Sequence, residues 1–177
     1  MTSISKKSIK NLTLAALFMA LGLILPFLTG QIREIGNKVL PMHIPILLCG
    51  FICSWKYGLL VGFITPLLRF SLFSMPAMPN ALTMAFELAT YGAVAGLLYN
   101  KFGKSKARIY VSLLIAMVSG RLVWGIASMI VYGINQVAFT WQMFLTGSLL
   151  NAIPGIIVQL VLIPILIFTI EKSGLSK

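Results

Sequence analysis

Three charged residues, Arg69, Glu87 and Arg121, lie inside long apolar runs of this 177-residue chain. An ionised side chain facing lipid is costly, so each must face a partner or a wet cavity. Two guanidinium groups against one carboxylate leave one positive charge over. A ligand carboxylate would neutralise it, and arginine binds carboxylates bidentately. The alternative is structural: a Glu87–arginine pair that locks two helices together. Asn151 falls at a depth similar to Glu87, and the four can converge on one pocket open to the outside. His43, the sole histidine, begins an apolar segment near the outer surface. There it can line the pocket mouth and donate to a ligand, or cap a helix. Trp124, Trp141 and Tyr91 offer aromatic walls for a flat ligand, or packing and interface anchors.

Other chemistries lack their residues. Cys49 and Cys53 are one helical turn apart, but His43 is off their face, so no metal site is expected. The chain has no Gly-x4-Gly-Lys-Ser/Thr phosphate loop. It has no acidic cluster for Mg²⁺ and no His-Glu-x-x-His motif. An enzyme would need a nucleophile–base pair near Arg121, and the one histidine sits at the membrane edge. No catalytic residue, metal or cofactor is therefore expected. Glu87 alone is a thin basis for proton coupling. The absence of visible inverted halves argues against a self-contained secondary transporter.

The elements that must position these residues are membrane helices. Apolar residues make up 59% of the chain and charged ones 10%, with a mean hydropathy of +0.99. A helix needs about 20 apolar residues to cross the hydrocarbon core. Six apolar segments fall at 12–28, 40–55, 57–73, 80–99, 109–132 and 143–170. They predict one all-α membrane domain over 1–177, a six-transmembrane-helix bundle with no soluble domain. The N-terminal segment begins like a signal peptide, but no small-residue cleavage pattern follows, so it reads as the first helix. The second segment is short and contains Pro45. The third contains Pro66, and the sixth carries Pro154 and Pro164.

Placing the N-terminus inside puts Lys6, Lys7, Lys10, Lys56, Lys101, Lys104, Lys106, Arg108, Lys172 and Lys177 in the cytoplasm. Arg33 and Lys38 alone fall outside, in the longest outer connection, residues 29–40. Such asymmetry sets orientation in the lipid bilayer. Both termini are thus expected to be cytoplasmic, and the net charge of +11 is not a nucleic-acid signature. Small residues one turn apart mark close helix contacts. The pairs are Ala16/Ala20, Gly58/Gly62, Gly92/Gly96 and Ala116/Gly120, with the row Gly147, Asn151, Gly155. Each reads either as internal packing or as docking of a separate membrane protein.

The chain resembles the substrate-binding S components of bacterial energy-coupling factor (ECF) vitamin transporters. The resemblance covers nearly the whole length. It is carried by the first helix, Asn11-Leu12-Thr13-Leu14-Ala15-Ala16-Leu17-Phe18-Met19-Ala20. It continues through Leu40-Pro41-Met42-His43-Ile44-Pro45, Gly50, Tyr57-Gly58-Leu59-Leu60-Val61-Gly62 and Thr65-Pro66-Leu67-Leu68-Arg69. The resemblance implies a bacterial cytoplasmic membrane protein that captures a water-soluble vitamin or precursor from outside. It implies a transmembrane coupling (T) component and two cytoplasmic ATPases as partners, with ATP hydrolysis in those partners. By that likeness Ala16 and Ala20 dock the coupling protein and the first outer loop gates the pocket. The loaded subunit topples in the membrane to release its ligand inside.

The surplus positive charge favours a carboxylate such as pantothenate or nicotinate. A neutral ring such as pyridoxine or hydroxymethylpyrimidine remains open if an arginine is committed to Glu87. The low acid count argues against a cation such as thiamine. The competing class is a membrane-embedded enzyme or an assembly subunit. The expected substrate-binding set is Arg69, Glu87, Arg121, Asn151, His43 and Trp124.

Overall fold

The computed structural model describes residues 6–29, 40–102, 106–134, 136, 138–147 and 151–172. The expected gating loop, with Arg33 and Lys38, lies mostly outside the described residues, as do Lys104 and Lys177. Every regular element among the described residues is helical. Helix α1 (Lys6–Ile24) runs into a 3-10 turn over Leu25–Thr29. Then come α2 (His43–Ile52), α3 (Trp55–Phe73), α4 (Asn80–Phe102), α5 (Lys106–Ile134), α6 (Trp141–Leu145) and α7 (Ile153–Lys172). Five helices are long and apolar enough to cross a membrane, and α2 is a shorter apolar helix. The molecule is a helical membrane bundle of about six helices.

The second helix is shorter than the 40–55 segment predicted. Its 10 residues rise about 15 Å, half the thickness of the hydrocarbon core. Such a helix survives because protein encloses it. His43, Pro45, Ile46, Leu47, Leu48, Cys49, Gly50 and Phe51 are all buried, against α1, α3, α4 and α7. A helix apolar on all sides belongs in an interior. Pro45 falls in its first turn, where a missing N–H breaks no helical bond. At the other end Asn11 Nδ2 donates to Cys53 O at 2.9 Å, tying α1 to the carbonyl that closes α2.

Glycines bring α2, α3 and α4 to backbone contact. A Cβ on Gly58 would lie 2.6 Å from Gly92 O and 2.8 Å from Gly50 Cα. One on Gly96 would lie 2.6 Å from Gly50 O, and one on Gly62 would lie 2.7 Å from Ala89 N. The obstacles are main chain and cannot rotate away. The pairs Gly58/Gly62 and Gly92/Gly96 are therefore internal packing. Ala116 is fully buried and Gly120 abuts the Tyr91 ring, so this pair also faces inward. Ala16 and Ala20 instead lie on the exposed side of α1, beside Leu12 and Leu17.

The sixth predicted segment is broken. Thr140 caps α6, its side chain accepting from Met143 N at 3.2 Å. Asn151 N bonds to Thr146 O at 3.0 Å, and α7 starts only at Ile153. Pro154 is the second residue of α7, so the helix begins at the proline rather than being kinked by it. Asn151 consequently sits in the turn before α7, not on a helix face.

Candidate functional site

Because α2 begins partway through the bundle, space is left above its first turn. A cavity of about 440 Å³ occupies that space, within the range typical of small-molecule sites. Arg69, Glu87, Arg121, Asn151, His43 and Trp124 all line it. It lies at the ends of the helices opposite those carrying Lys6, Lys10, Lys56, Lys101, Arg108 and Lys172. Pro26 from the end of α1, the Met75–Pro79 loop and Tyr132 near the end of α5 also border it.

The polar centre is at the floor. Glu87 on α4 is 2% exposed. Its Oε1 meets Arg121 Nη1 of α5 at 2.8 Å and His43 Nε2 of α2 at 3.5 Å. One carboxylate therefore joins three helices. The arginine contact is a close ion pair, whereas 3.5 Å is long for a hydrogen bond. Both His43 nitrogens lack a hydrogen-bond partner among the described residues, as do Arg121 Nε and Nη2. Tyr91 supports the group from behind, with its ring 5.2 Å from that of His43. Gly120 leaves room for that ring, since a Cβ there would lie 3.1 Å from Tyr91 Cζ.

Arg69 is differently placed. Its Nη1 donates to Leu23 O on α1. Its guanidinium lies over Phe27 at 4.9 Å and Phe73 at 5.3 Å from the ring centroids. The 3-10 turn explains the acceptor: at the end of α1 the backbone ladder changes step and carbonyls lose their helical donors. Arg69 takes up one of them. Among the described residues no carboxylate pairs with it.

The aromatic expectations divide. Trp124 borders the cavity and stacks near Phe144, centroids 6.1 Å apart. A Cβ on Gly147 would lie 2.7 Å from the Trp124 ring, so this glycine sets how the indole packs. Trp141 is 71% exposed and is not a wall. Tyr91 is buried beneath the floor rather than lining it. Met42, Met75, Met78 and Met84 line the cavity and were missed as site residues. Met75 and Met78 belong to the methionine- and proline-rich stretch 74–80, an uncharged connection between two apolar segments. Among the described residues no cluster of three or more His, Cys, Asp or Glu side chains can hold a metal ion.

The family model described as ECF transporter, substrate-specific component, matches residues 10–167. The chain belongs to that family. No curated protein and no solved structure matches it. An ECF substrate-specific component confers transport specificity and is not an enzyme. In this substrate-specific component the match spans every helix that borders the cavity. It also includes the exposed face of α1 with Ala16 and Ala20.

Proposed function

We propose that this S component captures a water-soluble vitamin or precursor bearing a carboxylate, such as pantothenate or nicotinate, from outside the cell. Its single membrane domain would lie in the bacterial cytoplasmic membrane with both termini inside and the cavity facing out. The observation that carries the reading is a cavity that holds, among the described residues, two guanidinium groups and one carboxylate, away from the lysine-rich helix ends. A ligand carboxylate restores neutrality where water is scarce. A transmembrane T component would dock on Ala16 and Ala20, whose side of α1 is uncovered, and two cytoplasmic ATPases would drive release.

A second reading has its own support. Arg121 is already paired with Glu87, and Arg69 already has a carbonyl and two ring faces. Soft methionine and proline walls also suit an uncharged ring such as pyridoxine or hydroxymethylpyrimidine. Mass spectrometry of the small molecule retained through gentle detergent purification tests both readings, followed by titration calorimetry with pantothenate, nicotinate and pyridoxine. A retained carboxylate that rebinds supports the first reading. Retention of a neutral ring, with no carboxylate binding, selects the second.

A further inference from the structure

The floor of the cavity holds donors that have no acceptor among the described residues. Arginine presents two N–H groups in parallel along its Nε–Nη2 edge, the geometry that fits both oxygens of a carboxylate. Among the described residues that edge of Arg121 has no partner, while the opposite nitrogen, Nη1, is held by Glu87 at 2.8 Å. His43 is 1% exposed; among the described residues its Nδ1 has no partner and its Nε2 only the 3.5 Å approach to Glu87 Oε1, and it carries at least one N–H in either protonation state. Helix α2 starts at the same place. Its first N–H, that of His43, already goes to Leu40 O at 3.1 Å and Pro45 has none, so this end offers its dipole; Met42 and His43 both line the cavity. The positive end of the helix dipole therefore faces the floor as well.

We propose that the Nε–Nη2 edge of Arg121, His43 and the first turn of α2 form the seat for the ligand carboxylate. Glu87 then acts as a positioning residue and Arg69 as a strut to α1. The proposal rests on the reading of the cavity as a ligand site and decides which arginine meets the anion. Unfilled buried donors are costly, and the side chains of Arg121 and His43 share one carboxylate, Glu87, which Arg121 already occupies. An anion satisfies such a set and a cation does not. The Arg121 edge is enclosed, so the side chain swings a short way toward the cavity when the anion binds. The ligand class is a monocarboxylate whose apolar or aromatic body rests on Met42, Met84 and Trp124.

The test is titration calorimetry on the full-length protein in detergent. Each carboxylate is compared with its neutral analogue: nicotinate with nicotinamide, pantothenate with pantothenol, benzoate with benzamide. The parent should prefer at least one carboxylate about tenfold or more. Arg121→Lys keeps a cation opposite Glu87, and therefore the fold, but lacks the paired edge. It should lose about ten- to a hundredfold in affinity for that carboxylate, with a much smaller change for the neutral analogue. If Arg121→Lys does not fold, the neutral pair Arg121→Gln with Glu87→Gln replaces it and should lose the same preference. Three results overturn the proposal: no carboxylate is preferred by the parent, the preference survives both Arg121 variants, or it disappears in Arg69→Lys instead. The transport reading fails by a different result, a chain that neither co-purifies with a T component and ATPases nor supports uptake in cells.

Discussion

Removing the charge of Glu87 probes the element on which the cavity is built. In the native protein Arg121 Nη1 is 2.8 Å from Glu87 Oε1, with the two side chains 13% and 3% exposed. At an effective dielectric of about 20 and a charge separation of about 4 Å, the pair is worth roughly 4 kcal/mol of attraction. Taking away one partner leaves a buried charge alone, which costs about 3–5 kcal/mol. Glu87→Gln keeps the volume and one acceptor, so it should fall at the lower end, about 3 kcal/mol. Arg121→Gln should cost a similar amount, because the carboxylate then loses its cation and keeps only the weaker contacts to His43 and Tyr91 among the described residues. Glu87→Gln with Arg121→Gln removes both charges and should cost about 3 kcal/mol rather than the sum of about 6. Reversible unfolding in mixed detergent–SDS micelles measures all four corners of the cycle. For a chain of this length about 3 kcal/mol corresponds to roughly 6–12 °C in Tm, so thermal scans give an independent reading. Additivity within about 0.5 kcal/mol would mean that the two charges do not depend on each other and would refute the pairing.

Other expectations follow from single contacts. Gly58→Ala and Gly92→Ala should each destabilise by about 3 kcal/mol or more, the upper range for overpacking, whereas Gly133→Ala, with nothing among the described residues within 4 Å of its Cβ, should be neutral or stabilising. Unfolding titrations of the three variants give the comparison. Arg69→Ala should lower stability by about 2 kcal/mol, since it loses a charge-assisted bond to Leu23 O and two ring contacts; an unchanged unfolding midpoint would show that Arg69 is no strut. Ala16→Trp or Ala20→Trp should leave ligand binding by the isolated protein intact yet abolish uptake in cells, and loss of binding would place these alanines in internal packing. Ala77→Cys and Lys101→Cys should be labelled from opposite sides of the membrane by an impermeant maleimide, with the buried thiols of Cys49 and Cys53 silent; labelling of both from outside would overturn the orientation.

The helical membrane character, the sites of the long spans and the presence of Arg69, Glu87 and Arg121 within them were all legible in the amino-acid sequence. Hydropathy accumulates residue by residue, so a span announces itself without reference to its neighbours. The cost of an ion in an apolar run likewise marks a residue as special before its partner is known. The partner itself depends on how helices rotate and how deep each one sits. That Arg121 rather than Arg69 takes Glu87 follows from the packing of α4 against α5, and no spacing within either helix encodes it. Arg69 finds its acceptor in a backbone carbonyl of α1, a group every residue carries and no sequence pattern singles out. The half-length of α2 and the break before α7 had signals in Pro41, Pro45 and Pro154, but a proline marks only where a helix can start. What surrounds α2 decides that it can stop short of the membrane surface, because enclosure by protein spares its ends contact with lipid. The cavity is the volume left above that short helix, a property of several elements together and of none alone.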